Sequence, residues 1–370
     1  MKTAIVHDWF YSLTGAEKVV EAIYTCFPSQ IYTLIKNEKN LSSLQIPLSS
    51  IKSSFIEKLP FGKTHYPYYF PFFPYAIESF NIEADLILSS SSCVAKNVLT
   101  RSDQLHICYC HTPVRYLWDS YFDYLRDHHL EKGVKGLLTK FFFHKLRNWD
   151  LIHSPRVDFF IANSKHVARR IFKTYKQEAS VIYPPVDTEL FKKSICKKEN
   201  FYITVSRLVL YKKIDLMIHA FNQMLDKTLL IVGDGPELGR LKKLANKNIH
   251  FINHATNDEV SNLVARAKGF IFMSYEDFGI VTLEAQAAAT AVIAYKKGGS
   301  LETVIENKTG ILFEEQSPQS LCAAIKRFES SQDLFDPIEL TSHAEKFSKK
   351  RFLQQYKSLV LNLYDRYKNA

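Results

Sequence analysis

Short apolar runs that alternate with helical patterns are the feature that most constrains how this chain can fold. A helical pattern separates each run of the second half from the next, and comparable runs occur in the first half. The runs are 3–8, 84–91, 105–111, 158–164 and 179–185, then 200–207, 227–235, 249–255, 267–274 and 291–297. Near-continuous apolar strands separated by helices are typical of parallel sheets covered on both faces. The sequence therefore predicts the doubly wound α/β class.

The length of 370 residues is enough for two such domains. Paired prolines and a charged run in YPPVDTELFKKSICKKEN, residues 183–200, mark the expected linker. We expect domains at 1–184 and 200–350. Residues 351–367, RFLQQYKSLVLNLYDRY, carry apolar residues at helical spacing. We expect a terminal helix at 351–370 that packs back on the first domain.

Composition excludes several classes of protein. The chain is 46% apolar and 23% charged, as globular proteins are. Its net charge of +10 is spread over both halves without a concentrated arginine tail, so we expect no nucleic-acid partner. Six cysteines are too few for a disulfide scaffold, and the start MKTAIVHDWF does not resemble a signal peptide. We expect a cytoplasmic protein that can touch a membrane but does not cross it.

The stretch FIFMSYEDFGIVTLEAQAA, residues 270–288, has the layout of a ligand-binding turn. We expect a strand through Met273, a turn from Glu276 to Gly279 and a helix from about Ile280. Ligands of doubly wound sheets bind beyond the carboxyl ends of strands. Gly279 permits close approach to the backbone, and amides at a helix start suit an anion. The alternative is that Glu276 caps the helix and Glu284 is merely solvated.

Two cations follow the first strand of the second half. Arg207 and Lys212 lie in SRLVLYKKID, where they would meet a diphosphate in the same crevice. The glycines at 233, 235 and 239 do not have the spacing of a dinucleotide-binding fingerprint. Cations for phosphate and carboxylates for hydroxyls together favour a sugar nucleotide as ligand.

Four stretches of the second half resemble the family 4 glycosyltransferases, which are retaining enzymes of the GT-B fold. They are SRLVLYKKID, VGDGPELGRLKKLA, EDFGIVTLEAQAA and YKKGGSLETVIENKTGILF. The first-half stretches HDWFYSLTGAEKVVEAIYTCFP, LSSSSCVAKNVLT and HICYCHTPVRYLWDSY are similar to bacterial mannosyltransferases that build O-antigen and related surface polysaccharides. The resemblance implies two Rossmann-like domains facing across a cleft.

The resemblance implies a role for each matching residue of the second half. Arg207 and Lys212 would hold the diphosphate, and Glu284 would bind the ribose hydroxyls. Glu276 would bind hydroxyls of the transferred sugar, together with the backbone amides of a short run. That run is Phe278, Gly279 and Ile280.

In the first half, His111 matches the histidine that approaches the sugar across the cleft, and Gly15 matches a glycine-rich turn near the phosphates or the acceptor. The catalytic set implied is His111, Glu276, Arg207 and Lys212. The reaction implied is transfer of mannose from GDP-mannose, with retention, to a lipid-linked glycan at the cytoplasmic membrane face. It needs no enzyme nucleophile, and neither a metal nor another cofactor is expected.

The chain departs from the family pattern at four positions. Thr14 precedes Gly15 where the family usually has two glycines. Ala289 and Ala291 replace a common glycine and proline, and Thr282 stands where this branch often has proline. None of these changes removes a charged ligand of the sugar nucleotide.

Two hypotheses of a metal site are not favoured by the sequence, and acceptor-side roles stay open for four residues. HICYCH suggests zinc through His106, Cys108, Cys110 and His111, but alternate strand residues lack the usual knuckle spacing. No Asp-x-Asp pair is present to hold a divalent ion on the diphosphate. Acceptor-side roles are open for several residues, each with a structural alternative. These are His7, Asp8, Arg115 and Trp118.

Alternative functions are transfer from a UDP- or dTDP-sugar, sugar-nucleotide epimerisation, and non-catalytic binding of a nucleotide or nucleic acid.

Two aromatic and basic segments, 55–80 and 133–149, do not fit the alternation of strands and helices. They are either covering elements or interfacial segments that contact an anionic membrane.

Overall fold

The computed structural model describes residues 1–12, 14–38, 41, 44–192 and 196–369. They form two compact units. The first contains Met1–Pro185 and Phe352–Ala370, and the second contains Val186–Arg351. Residues 193–195 of the expected linker and Ala370 of the expected terminal helix lie outside the described residues.

The first unit is built on a seven-stranded parallel sheet with the order β3-β2-β1-β4-β5-β6-β7. Its strands are β1 (Thr3–His7), β2 (Gln30–Thr33), β3 (Ile51–Ser53), β4 (Leu86–Ser91), β5 (Leu105–Cys110), β6 (Phe159–Ala162) and β7 (Ala179–Val181). Its helices are α1 (Gly15–Cys26), α2 (Phe73–Glu78), α3 (Tyr121–Asp127), α4 (Gly133–His153) and α5 (Lys165–Tyr175). β4 and β5 are buried along their whole length, as expected of strands covered on both faces.

The second unit is built on a six-stranded parallel sheet with the order β10-β9-β8-β11-β12-β13. Its strands are β8 (Glu199–Val205), β9 (Thr228–Val232), β10 (Ile249–Ile252), β11 (Ala267–Phe272), β12 (Val292–Tyr295) and β13 (Gly310–Phe313). Its helices are α6 (Thr188–Lys192), α7 (Ile214–Asn222), α8 (Leu238–Leu244), α9 (Asn257–Arg266), α10 (Ile280–Ala287), α11 (Ser300–Thr303), α12 (Pro318–Ser330) and α13 (Pro337–Glu345). This strand order reverses between β8 and β11, which makes a topological switch point there.

The last helix, α14 (Lys349–Lys368), carries the chain back to the first unit. Its residues Phe352, Tyr356, Val360 and Leu363 are buried in the core of that unit. The ring of Phe352 lies 5.7 Å from that of Tyr109 on β5. Apolar side chains one turn apart along one face of a helix account for this packing.

The predicted fold class is confirmed, because both sheets are parallel and alternate with helices along the chain. All ten predicted runs contain a strand. The strands β2, β3 and β13 were not among the predicted runs. Part of the expected linker is folded, since Thr188–Lys192 forms α6 and its Phe191 is buried in the core of the second unit.

Candidate active site

Two predicted ligands of the sugar nucleotide meet at the switch point of the second unit. Lys212 ends a single 3-10 turn, Leu210–Lys212, that follows β8, and Glu276 follows β11. The Lys212 ammonium forms an ion pair with a Glu276 carboxylate oxygen, and the two side chains are only 15% and 18% exposed. Because β8 and β11 are neighbouring parallel strands, their carboxyl ends bring both residues to one edge of the sheet.

The turn after Glu276 leads directly into α10. Gly279 has a φ of 87°, in the left-handed region, and a Cβ there would lie 3.0 Å from the Phe272 ring. A residue with a side chain is disfavoured on both counts. The amides of Phe278, Gly279 and Ile280 therefore lie at the positive end of α10, as the sequence predicts. Glu284 lies within α10 and is 8% exposed, so the alternative of a solvated Glu284 is wrong.

A loop that the sequence reasoning did not single out supports this turn. The Gly299 amide donates a hydrogen bond of 2.8 Å to the Glu276 carbonyl oxygen. A Cβ at Gly298 would lie 2.4 Å from that oxygen, and a Cβ at Gly299 would lie 2.3 Å from the Phe278 Cα. The adjacent glycines of YKKGGS are the signal that would have revealed this close approach.

The Arg207 segment is held by the loop after β9. A Cβ at Gly233 would lie 2.0 Å from the Ser206 carbonyl oxygen, and a Cβ at Gly235 would lie 2.3 Å from that of Leu208. The Leu208 amide donates to the Asp234 carbonyl oxygen at 2.9 Å. The Gly-Asp-Gly turn is therefore a support for the backbone around Arg207, whose side chain is exposed.

His111 lies in the first unit, immediately after β5. Its Nε2 is 2.8 Å from the Ser90 hydroxyl, and its carbonyl oxygen accepts a hydrogen bond from Asn163 at 3.0 Å. The His111 ring also contacts the Tyr109 ring, with a centroid distance of 5.3 Å. These contacts fix the imidazole at the end of the strand. Ser90, at the end of the neighbouring β4, was not identified from the sequence.

Gly15, the other predicted residue of the first unit, is the first residue of α1. The preceding Thr14 donates to the Glu17 carboxylate through its amide at 2.8 Å and its hydroxyl at 2.5 Å. Thr14 thus supplies a hydroxyl that a glycine would lack, which gives this departure a structural role. His7 lies 3.8 Å from Glu17; burial opposes its protonation, but the Glu17 and Asp8 carboxylates and the hydrogen bond with the Ser90 carbonyl oxygen together outweigh burial and raise the pKa of His7.

Two residues considered for the acceptor side have structural roles. The Asp8 carboxylate accepts hydrogen bonds from four consecutive backbone amides, 92–95, and so fixes the turn after β4. The Trp118 indole donates to Asp150 at 2.9 Å. Both side chains are used to hold the fold of the first unit together.

Two departures from the family pattern have visible consequences. Ala289 has a φ of 55°, a left-handed conformation that explains why glycine is common at this position. The Thr282 hydroxyl donates to the Gly279 carbonyl oxygen at 2.8 Å and lies 2.8 Å from the Thr303 hydroxyl. Thr282 therefore ties α10 to α11, a link that a proline would lack.

His106, one of the two histidines of the possible zinc motif, makes hydrogen bonds within the fold instead. His106 is fully buried, its Nε2 lies 2.8 Å from the Ser89 hydroxyl and its Nδ1 lies 3.0 Å from the Arg156 carbonyl oxygen. Burial lowers the pKa of His106 to about 4. Within the described part of the chain, no group of three or more side chains is arranged to hold a metal ion.

Comparison with known proteins assigns the second unit. Residues 186–351 match the family described as glycosyl transferases group 1. This match spans the second unit, Val186–Arg351. An uncharacterized glycosyltransferase of Methanocaldococcus jannaschii is 28% identical over 226 residues, which is 60% of each chain. A GDP-mannose-dependent alpha-(1-6)-phosphatidylinositol monomannoside mannosyltransferase of Mycobacterium tuberculosis is 30% identical over 192 residues, 44% of this chain and 50% of that protein.

The chain thus spans 50% to 60% of the length of these two relatives. Likeness to solved structures extends beyond the matched residues 186–351 and covers nearly the whole chain. HepE of Anabaena, solved in complex with UDP and glucose, has a TM-score of 0.72 at 18% identity, covering 97% of this chain and 99% of HepE. The predicted GT-B fold class is confirmed. None of the helices in the described ranges has the length and apolar character needed to traverse a bilayer.

Proposed function

We propose that this protein is a retaining glycosyltransferase that transfers mannose from GDP-mannose to a lipid-linked glycan in surface polysaccharide synthesis. The observation that carries the proposal is the Lys212–Glu276 pair at the switch point of a group 1 domain. A cation and a carboxylate at one sheet edge, beside a helix start, suit the phosphates and hydroxyls of a sugar nucleotide. The GDP-mannose dependence of the M. tuberculosis relative supports the choice of substrate.

Charge stabilisation is the main task of this site. Departure of the nucleotide places new negative charge on the diphosphate, and Arg207, Lys212 and the amino end of α10 oppose that charge. An ammonium has three hydrogen-bond donors, so Lys212 can serve Glu276 and a phosphate oxygen together. The protein then needs no metal, because side-chain cations take its place. In front-face attack, the leaving phosphate accepts the proton of the acceptor hydroxyl.

The carboxylates select the two sugars. We propose that Glu284, which is buried in the second turn of α10, accepts hydrogen bonds from ribose hydroxyls. Glu276 binds hydroxyls of mannose, with the amides of Phe278, Gly279 and Ile280. Glycine is favoured at position 279 because φ is left-handed there and a Cβ would lie close to the Phe272 ring. His111, fixed by Ser90, acts on the transferred sugar, and Gly15 lies near the phosphates or the acceptor.

A screen of sugar nucleotides tests the reaction. We expect release of GDP from GDP-mannose, with no 2-epimer formed and with weaker release from UDP- and dTDP-sugars. Formation of the epimer indicates an epimerase, and absence of any turnover indicates a non-catalytic nucleotide-binding protein. Transfer of labelled mannose into a solvent-extractable lipid fraction, with an α anomer at the new bond, tests the acceptor class and retention.

Substitutions test the two cations. We expect Arg207→Ala and Lys212→Ala each to lower turnover by about 10²- to 10³-fold, the usual loss on removing one such group. The matched control is Lys243→Ala, an exposed lysine on α8. Near-normal turnover of Arg207→Ala or Lys212→Ala would exclude that residue from charge stabilisation.

The proposed acceptor implies where in the cell the reaction takes place. A lipid-linked glycan lies in a bilayer, so we propose that the protein works at the cytoplasmic face of the membrane as a peripheral protein. Cell fractionation checks this proposal. Recovery in the membrane pellet at low salt, and release by high salt, is the expected result, whereas recovery in the soluble fraction at both salt concentrations contradicts it.

A further inference from the structure

Helix α4 of the first unit has two apolar faces, although a surface helix normally has one. Gly136, Phe143 and Leu146 form the inner face and are buried. A second apolar set lies at positions i, i+3, i+4 and i+7 of the same helix. These residues, which we call the outer stripe, are Val134, Leu137, Leu138 and Phe141.

The outer stripe faces solvent in the first unit. Val134 is 76% exposed, Leu137 69%, Leu138 53% and Phe141 54%. Single exposed apolar residues are common on protein surfaces, but four on one stripe of a helix form a contiguous patch. Patches of this kind mark surfaces that contact a partner or a membrane.

The segment 61–75 adjoins α4. The Phe70 ring lies 5.9 Å from that of Phe142 and 5.6 Å from that of Phe143, in edge-to-face contact. Four further aromatic side chains of this segment are at least half exposed. They are Phe61, Tyr68, Phe72 and Tyr75. Exposed aromatic rings are typical of the headgroup region of a bilayer.

The exposed charges of α4 all have one sign. Between residues 132 and 149 the chain carries five cations and no carboxylate, namely Lys132, Lys135, Lys140, Lys145 and Arg147. Lys135 and Lys145 are exposed beside the outer stripe. The acid of α4, Asp150, is buried and paired with Lys96. This region therefore complements an anionic surface, and two copies of it would repel each other.

The helix is held in place before any contact with a partner. The Asp150 carboxylate accepts hydrogen bonds from Lys96 at 2.5 Å, Trp118 at 2.9 Å and Tyr175 at 2.8 Å, all within the first unit. These bonds anchor the last turn of α4, while Phe143 anchors its middle. The outer stripe is therefore presented without the entropic cost of folding on binding.

From these observations we propose that the outer stripe and its flanking lysines dock the first unit on an anionic lipid bilayer. The helix lies parallel to the membrane plane, with the stripe at the acyl boundary and Lys135 and Lys145 among the headgroups. This surface consists of residues of the first unit, and none of them is among the proposed ligands of the sugar nucleotide.

Co-sedimentation with vesicles tests the proposal. Wild-type protein is mixed with vesicles of phosphatidylcholine alone, or of phosphatidylcholine with phosphatidylglycerol, at low and high salt. The first variant is Leu137→Glu with Phe141→Glu, and the second is Lys135→Gln with Lys145→Gln. The matched control, Leu225→Glu with Ile338→Glu, adds the same charge at positions of the second unit that are 69% and 72% exposed.

We expect wild-type protein and the control to bind the phosphatidylglycerol vesicles and to be released by salt. Each lysine near such a surface is worth about a fivefold change, so the variant that lacks two of them should partition roughly 30-fold less. The stripe variant should lose at least as much. All substituted positions are exposed, so circular dichroism and GDP release should match wild type.

Three results would overturn the proposal. The first is equal binding to both kinds of vesicle, and the second is a stripe variant that binds like the control. The third is wild-type protein that forms a dimer without lipid, loses it in the stripe variant, and does not sediment with vesicles; the partner would then be a second copy of the chain. Because GDP release is measured separately, loss of docking and failure of the proposed reaction are distinguishable.

Discussion

Replacement of Gly299 by alanine tests the support of the Glu276 turn most directly. A Cβ at this position would lie 2.3 Å from both the Cα and the carbonyl oxygen of Phe278. Ordinary contacts between such atoms are near 3.5 Å, so the backbone must move by about 1 Å. The strain is purely steric, since Gly299 has a φ of −64°, which alanine adopts freely.

Two effects should follow from that displacement. Overpacking against backbone atoms costs about 1–3 kcal/mol of unfolding free energy, because neither partner can rotate away. The hydrogen bond from the Gly299 amide to the Glu276 carbonyl oxygen is also distorted. A shift of about 1 Å in the residues that position a substrate typically lowers turnover by about 100-fold. We therefore expect lower stability together with a loss of GDP release.

Urea unfolding and the GDP-release assay measure these two effects. The matched control is Gly239→Ala on α8, where a Cβ would meet no atom within 4 Å. Alanine is favoured in a helix, so this variant should be neutral or more stable by up to about 1 kcal/mol, with normal turnover. Equal stability of Gly299→Ala and wild type would show that the loop does not pack against Phe278 as described.

Three further predictions test the core. Ala289→Gly should raise the unfolding free energy by about 1 kcal/mol because it relieves a left-handed φ, whereas Ala288→Gly, at a φ of −83°, should lower it. His106 should contribute a fall of about 3 kcal/mol in unfolding free energy between pH 6.5 and 4, because only the unfolded chain protonates it there; His106→Gln should remove that contribution and leave the one from His343, whose pKa burial also lowers to about 4. Asp150→Asn should cost about 3–5 kcal/mol by leaving the Lys96 charge buried without its partner, and Lys96→Met in that background should recover part of the loss. Urea titrations of each variant decide all three, and a wild-type response in any of them contradicts the corresponding contact.

The pattern of apolar runs predicted the α/β class because a near-continuous apolar run indicates a strand that is buried on both faces. The run ADLILSSS becomes β4, and AKGFIFMS becomes β11. Of β2, β3 and β13, which were not predicted, the first two (QIYT and IKS) mix polar with apolar residues and so form no apolar run. Pairing with neighbouring strands stabilises them, and that pairing is a property of the sheet.

The candidate site could be predicted in part. Glu276, Gly279 and the start of α10 are local in sequence, so a strand-turn-helix pattern places them correctly. The contact between Lys212 and Glu276 joins residues 64 positions apart, and it depends on the adjacency of β8 and β11. The residue-level roles rest on resemblance and stay predictions until the substitutions are measured.

By itself the sequence determined the class of fold, the approximate position of most strands and the residue types available at the strand ends. Those properties follow from hydrophobic periodicity and from local turn chemistry, which act over a few residues. The tertiary structure alone decided that glycines 233, 235, 298 and 299 support the site. It also decided that a second apolar face of α4 remains in water. Both depend on which distant segments pack together, and no short window of sequence contains that information.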